Sequence, residues 1–145
     1  MNLQELMKMP DRLSAETLEN LFNQAIQDFQ NQSNNENQFL EIIMELTDRQ
    51  VMTYQLLDTE IRNTIDQILC SILNIEMYHN VDIILSIVIN LGLENCFNLF
   101  TQFVESNVQM DKETYDEITA AIEEVGNHIC NPYYDLEALK KDVKL

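Results

Sequence analysis

Apolar residues recur at intervals of three and four positions along most of this chain, which contains only two glycines and two prolines. That spacing places apolar side chains on one face of an α-helix. A strand-rich fold would need a turn-forming sequence about every 8 to 12 residues, and the chain has too few turn-formers for it. We therefore predict an all-α fold of seven to eight helices, joined by short links into antiparallel hairpins.

Local start and stop signals divide this pattern into helices. The first well-marked helix is "SAETLENLFNQAIQDFQ", followed by a polar loop, "NQSNNEN", and a second helix at about residues 37–46. The sequence "TDRQ" has the spacing of a capping box and predicts the start of a separate short helix. A last short helix is predicted for "LEALKKDV". The predicted N-cap residues are Ser14, Thr47, Asp58 and Asn80, and the predicted helix-ending glycine is Gly92.

The length of 145 residues suits a single domain, 1–145, which can bury roughly 70% of its unfolded surface. Residues 1–13 are a candidate flexible N-terminal segment. Two packings remain open: a compact helical bundle and a HEAT-like stack of helical hairpins. The close succession of helices from residue 58 to residue 128 favours stacking. Against it, no part of the sequence repeats at a fixed period of about 30 to 47 residues.

Acidic residues dominate the charge, with 25 Asp and Glu against 8 Lys and Arg, a formal net charge of −17. Between Arg62 and Lys140 the only Lys or Arg is Lys112, while 13 acids give that stretch a formal charge of −12. Such a field repels nucleic acid and anionic membranes and attracts cationic protein surfaces. We therefore expect a protein partner, and neither a nucleic-acid nor a membrane partner.

The N-terminus and the cysteines predict a cytoplasmic protein. "MNLQELMKMPDR" lacks the basic and apolar regions of a signal peptide, and "VDIILSIVINLGL" is shorter than the roughly 18 residues that span a bilayer. The odd number of widely spaced cysteines is typical of reduced, buried thiols. They are Cys70, Cys96 and Cys130.

The segment "DKETYDEITAAIEEVG", residues 111–126, contains six carboxylates and one lysine. Asp111 is placed to act as its N-cap. At about 100° per residue, the apolar stripe predicted to face the core consists of Tyr115, Ile118, Ile122, Val125 and Ile129. The carboxylates predicted to share the opposite, solvent-facing side are Glu113, Asp116, Glu117, Glu123 and Glu124. Like charges one turn apart destabilise a helix by a few tenths of a kcal/mol, and an ordinary wet face interleaves lysines. A solvated face and a surface for a basic partner both remain open.

"NPYYDLE" places Tyr133 and Tyr134 beside Asp135 and Glu137 in a segment predicted to be exposed. Tyrosine next to carboxylates is a favourable composition for contacting arginine and lysine at interfaces. The alternative is that one tyrosine packs on the core and the other is simply exposed.

Catalytic and metal-binding patterns are weak. Glu76 and His79 have the i,i+3 spacing of di-iron carboxylate bundles, but they fall in a predicted break between helices. Glu124 and His128 do not supply the matching pair. The sequence also lacks zinc-type cysteine pairs, a glycine-rich phosphate loop, a nucleophile elbow and the mid-loop glycine of an EF-hand. We predict no catalytic residues, no metal, no cofactor and no enzymatic activity.

The chain resembles the helical immunity proteins of bacterial polymorphic-toxin systems, including contact-dependent growth inhibition. The resemblance lies in its small size, its strong acidity and the helical hairpin "VDIILSIVINLGLENCFNLF". The resemblance implies tight one-to-one binding of a monomer to the C-terminal domain of a secreted toxin, often a basic nuclease. We therefore predict a cytoplasmic immunity protein that neutralises a cationic toxin domain. Its candidate partner-binding residues are Glu113, Asp116, Glu117, Glu123, Glu124, Tyr133, Tyr134, Asp135 and Glu137.

Three alternatives remain. One is a phage-type inhibitor, such as an anti-CRISPR protein or a nucleic-acid mimic, whose carboxylates would be spaced like phosphates. Another is a helical-repeat adaptor that binds a basic peptide in a concave groove. An enzyme is the third.

Overall fold

The computed structural model describes residues 1–106, 109–126 and 128–133, and every regular element in this part of the chain is an α-helix. The prediction of an all-α fold is confirmed. The described helices are α1 (Leu3–Met7), α2 (Ala15–Gln30), α3 (Glu36–Val51), α4 (Thr59–Ile72), α5 (Tyr78–Leu91), α6 (Glu94–Glu105) and α7 (Lys112–Val125). The helix predicted for "LEALKKDV" lies outside the described residues.

Three of the predicted helix boundaries are confirmed by their hydrogen bonds or backbone angles. The Ser14 side chain accepts a hydrogen bond from the Thr17 backbone N–H at 3.1 Å and so caps α2. Asp58 caps α4 by accepting from two backbone N–H groups of its first turn. Gly92 ends α5 in the left-handed conformation, with φ 73°. These caps involve residues at most a few positions apart, so a sequence pattern can identify them.

The predicted helix start at Thr47 is wrong, because α3 continues through it to Val51. Thr47 is fully buried, and its hydroxyl donates to the Ile43 carbonyl oxygen at 2.7 Å, within the same helix. A threonine that bonds to the carbonyl four residues earlier does not act as an N-cap. The capping box lies instead at the start of α3, between Asn35 and Gln38.

Asn80 is also not an N-cap, because α5 begins two residues earlier, at Tyr78. Its side-chain oxygen accepts a hydrogen bond from the Asn74 backbone N–H at 3.2 Å. This buried amide therefore ties the α4–α5 link to α5. Asn80 therefore accepts from the link before α5 and not from the first turn of the helix.

The described helices pack as two layers. Each helix packs mainly on the next helix or on the next but one: α1 on α3, α2 on α3 and α4, α3 on α5, α4 on α5 and α6, α5 on α6 and α7, and α6 on α7. One layer therefore contains α2, α4 and α6, and the other contains α1, α3, α5 and α7. This pattern is that of stacked helical hairpins, since a closed bundle would also pack early helices on late ones. The core between the layers is aliphatic and aromatic, with Phe22, Phe39 and Phe100 fully buried.

Residues 1–13 contain α1 and contact α3 through Arg49. This buried guanidinium donates to the backbone carbonyls of Leu6, Met9 and Pro10 and forms an ion pair with Glu45 at 2.9 Å. Leu6 is fully buried. The mobility of residues 1–13 stays a prediction.

The structure describes all three cysteines as free thiols, but they differ in burial. Cys96 is buried and Cys70 is half-buried, while Cys130 is exposed. The prediction of a buried thiol is therefore wrong for Cys130, which lies after α7 and not within a helix. Among the described helices, none combines the length and the apolar character needed to cross a bilayer.

Candidate functional site

Helix α7 packs on α5 and α6 along one side, and most of its carboxylates remain exposed to solvent. Its buried positions are Thr114, Ile118 and Ala121, with spacings of four and three residues. Tyr115, predicted on the apolar stripe, is 43% exposed, so the buried face is rotated toward the smaller residues.

Four of the five predicted carboxylates on α7 are exposed. We call them the acidic face: Glu113, Asp116, Glu123 and Glu124. From residue 78 to residue 126 the sequence contains nine acids, and its only Lys or Arg is Lys112. Within the described residues the ion pairs are those of Met1 with Asp28 and of Arg49 with Glu45, both far from α7 in the sequence. No described lysine or arginine therefore neutralises the acidic face by direct contact.

Glu117, the fifth predicted carboxylate, is half-buried beside α5. Desolvation, followed by its contact with the Asp82 carboxyl, raises the pKa of Glu117 to about 7, although a hydrogen bond from Tyr78 acts in the opposite direction. The same bond is the main cause that raises the pKa of the Tyr78 hydroxyl. Glu117 Oε2 is buried, and no group in the described part of the chain donates a hydrogen bond to it. The three side chains form a cluster in which two carboxyls compete for few donors.

Two exposed aromatic rings lie among these carboxylates. Tyr78 is 42% exposed at the start of α5, where Asp82, Glu113 and Glu117 all affect its hydroxyl. Tyr115 precedes Asp116 on α7 and is similarly exposed. An arginine stacked on a tyrosine ring and bonded to a neighbouring carboxylate gains from both contacts. The acidic face, Tyr78, Asp82, Tyr115 and Glu117 together form the candidate site.

Sequence reasoning did not include Tyr78 and Asp82. Their i,i+4 spacing in the sequence indicates that, on a helix, they share one face. That this face lies beside Glu117 depends on the packing of α5 against α7, which joins segments distant in sequence. The predicted site therefore contains residues from one of its two helices.

Tyr133, which follows α7 in the sequence, packs against the link between α3 and α4. Its hydroxyl donates to the Gln55 carbonyl oxygen at 3.0 Å, and its ring centroid is 6.2 Å from that of Tyr54. The ring is half-buried, and it fixes the end of the described chain to residues 50–55. Tyr54 is the more exposed of the two rings, at 64%. The other predicted residues of this segment, Tyr134, Asp135 and Glu137, lie outside the described residues.

A second group of polar side chains lies between α4 and α6. Asp66 accepts hydrogen bonds from the backbone N–H groups of Asn95 and Cys96, at 2.9 and 2.8 Å. The N-cap residue of α6, Leu93, has no capping side chain, so the carboxylate of Asp66 caps α6 from a neighbouring helix. Cys70 Sγ lies 3.9 Å from Asp66 Oδ1, and burial raises the pKa of Asp66 and of the Cys70 and Cys96 thiols.

Among the described residues, Asp66, Cys70 and Cys96 are also the one group of three potential metal-ligand side chains whose donor atoms lie close together. Glu76 lies in the link before α5 and His79 in the first turn of that helix, and both side chains are exposed. Asp66 and Cys70 have i,i+4 spacing on α4, which the sequence shows. The approach of Cys96 comes from the packing of α6.

Comparisons of the chain with protein-family models, with curated proteins and with solved structures find no match.

Proposed function

We propose that this protein binds a cationic protein domain through the candidate site on α5 and α7, and so acts as an immunity protein that neutralises a basic toxin domain in the cytoplasm. The observation that carries the proposal is the acidic face itself. Its four exposed carboxylates have no ion-pair partner among the described residues. An uncompensated array of like charge costs stability through self-repulsion, and a cationic partner removes that cost on binding.

The acidic face would act first on the rate of encounter. A toxin that cleaves nucleic acid carries a cationic surface, and opposite fields raise association rates above the unsteered range of about 10⁵ to 10⁶ M⁻¹s⁻¹. Fast capture suits a protein that must inhibit its target before the target reaches its substrate. Binding over the cationic surface would also block access of nucleic acid to it.

The cluster of Tyr78, Asp82 and Glu117 would contribute to affinity at the centre of the contact. A guanidinium placed there supplies several N–H donors, and Glu117 Oε2 has no donor from the described residues. Its positive charge would lower the pKa of Glu117 by direct attraction. The two exposed tyrosine rings supply the apolar area that interface hot spots commonly use.

The test is binding of the full-length protein to the basic domain encoded by the neighbouring reading frame. The variant Asp116→Lys/Glu123→Lys reverses two exposed charges of the acidic face. We expect its association rate at low salt to fall by at least about tenfold and its salt dependence to become flatter. Stopped-flow fluorescence at several NaCl concentrations measures both quantities.

The matched control is Glu41→Lys/Glu60→Lys, which makes the same change in net charge at exposed positions of α3 and α4. It should slow association much less. Equal slowing by both variants would mean that net charge acts without a site on α7. Absence of binding by the unmodified protein even at low salt would contradict the proposed function.

A phage-type inhibitor, such as a nucleic-acid mimic, is also consistent with strong acidity. Such a mimic would space its carboxylates like phosphates on an extended surface. The adaptor alternative calls for a concave apolar groove. The candidate site is instead a mixed patch of carboxylates and tyrosines on two helices, which favours binding of a basic toxin domain over both alternatives.

A further inference from the structure

The geometry points to a binding site for Zn²⁺, a thiophilic divalent cation. Asp66, Cys70 and Cys96 would form this site between α4 and α6. The inference is independent of the proposed function, because the three residues lie on α4 and α6, whereas the candidate site lies on α5 and α7. It concerns a metal site that joins two helices of one layer.

The donor set matches the chemistry of zinc. Thiolate sulfur and carboxylate oxygen are both common zinc ligands, whereas Ca²⁺ and Mg²⁺ take oxygen ligands. Asp66 and Cys70 lie one turn apart on α4, a spacing that places both side chains on one helix face. Cys96 approaches from the first turn of α6. Two helices thus supply three ligands.

The distances fit a tetrahedral site after a small adjustment. The three donor atoms lie within 4.8 Å of one another, and Cys70 Sγ is 3.9 Å from Asp66 Oδ1. Zinc with its usual bond lengths requires donor separations of about 3.6 to 3.8 Å. Rotation of side chains, with helix shifts of about 1 Å or less, would close the difference.

The surroundings also resemble those of a metal site. Asp66 is held by the backbone N–H groups of Asn95 and Cys96, and such hydrogen bonds fix the orientation of a ligating carboxylate. Asp66 also lines a surface cavity of about 210 Å³, so its carboxylate has a side from which a solvated ion can approach. Charged neighbours at that cavity are Glu94 and Arg62. The fourth coordination position would belong to water or to another small ligand.

The alternative is that Asp66 only caps α6 and that the two thiols are inert core residues. Cobalt separates these cases, because a thiolate bound to Co²⁺ gives a charge-transfer band in the near ultraviolet that carboxylate-bound Co²⁺ lacks. The acidic face can attract Co²⁺ through oxygen ligands, but it cannot produce this band. The probe therefore reports binding through thiolate sulfur, and cysteine variants show which thiol is the ligand.

The experiment titrates the reduced full-length protein with Co²⁺ in the presence of a phosphine reductant. We expect a charge-transfer band that saturates at one equivalent, disappears on addition of Zn²⁺ and is unaffected by excess Mg²⁺. Zn²⁺ should also raise the melting temperature. The variants Cys70→Ser and Cys70→Ala should each weaken metal binding by at least about tenfold, the lower end of the loss that even outer-shell changes cause.

Cys130→Ser is the control, since Cys130 is exposed and its thiol contacts Glu94 rather than Asp66. It should keep the band and the affinity. The inference is overturned if the unmodified protein gives no charge-transfer band, if both Cys70 variants retain it while folded by circular dichroism, or if Cys130→Ser abolishes it.

Discussion

At the scale of single residues, Glu117 differs from the other carboxylates of α7 because it is packed beside α5. The groups that face it are Asp82 and Tyr78 from α5, with Glu113 one turn earlier on its own helix. Burial and the Asp82 and Glu113 carboxyls make the charged form less favourable, and together they outweigh the opposing hydrogen bond from Tyr78. The pKa of Glu117 therefore rises from 4.5 to about 7. This residue therefore changes charge near neutral pH, whereas exposed carboxylates ordinarily ionise well below it.

The shifted pKa predicts how stability depends on pH. A carboxyl whose pKa is higher in the folded state contributes stability below its unfolded pKa of about 4.5, and this contribution is lost as pH rises through about 7. Glu117→Gln should remove that loss, so between pH 5.5 and pH 8 the variant should lose less stability than the unmodified protein. We expect the difference to be on the order of 1 to 2 kcal/mol after solvent screening. Urea denaturation at both pH values measures it.

Glu124→Gln removes the same charge from an exposed position and serves as the control. It should leave the pH profile of stability nearly unchanged. If Glu117→Gln and Glu124→Gln give the same profile, Glu117 does not titrate near neutral pH.

At the scale of helices and links, Gly92 determines how α5 turns into α6. Its backbone has φ 73°, and a Cβ atom there would lie 2.8 Å from the Ile129 carbonyl oxygen. The position therefore requires glycine for two separate reasons, one conformational and one steric. The steric reason arises because the segment after α7 crosses the α5–α6 link.

Gly92→Ala should destabilise the protein by about 2 to 4 kcal/mol, the sum of a left-handed conformation and a forced backbone shift. Gly92→Asn provides the comparison, since asparagine tolerates left-handed backbone but also carries a Cβ atom. We expect Gly92→Asn to recover only the conformational part, about 1 kcal/mol, and to stay destabilised by the contact with Ile129 in chemical denaturation. Recovery of most of the stability by asparagine would show that the contact with Ile129 has no energetic weight.

At the scale of the whole molecule, the net charge of −17 is spread over a protein with few ion pairs among its described residues. Repulsion between unpaired carboxylates favours the expanded, unfolded chain. Salt shortens the range of this repulsion, to about 10 Å at 0.1 M. The stability of the protein should therefore depend on ionic strength more through repulsion than through loss of salt bridges.

We expect an increase in NaCl from about 0.01 to 0.15 M to stabilise the protein by on the order of 1 kcal/mol. Thermal denaturation followed by circular dichroism measures this effect. The variant Asp116→Asn/Glu123→Gln, which removes two charges from the acidic face, should show a smaller salt effect and a higher melting temperature at low salt. A melting temperature that falls with added NaCl would contradict the dominance of repulsion.

The helical class and the uneven distribution of charge could be predicted from the amino-acid sequence, and so could helix boundaries such as Ser14, Asp58 and Gly92. These features depend on residue composition or on hydrogen bonds between near neighbours, which a linear pattern contains. The continuation of α3 through Thr47 could not be predicted in this way. The threonine hydroxyl can cap a new helix or bond to the carbonyl oxygen of Ile43, and its burial in the fold goes with the second bond.

Three features could be known only from the folded protein: the two-layer stacking, the position of Glu117 beside Asp82, and the approach of Cys96 to Asp66 and Cys70. Each of these depends on helices that are distant in sequence and adjacent in space. Periodicity assigned the carboxylates of "DKETYDEITAAIEEVG" to one face, but desolvation by α5 gave one of them a different pKa. Burial and electrostatic environment are properties of packed surfaces, and for that reason the chemistry of both candidate sites came from the fold.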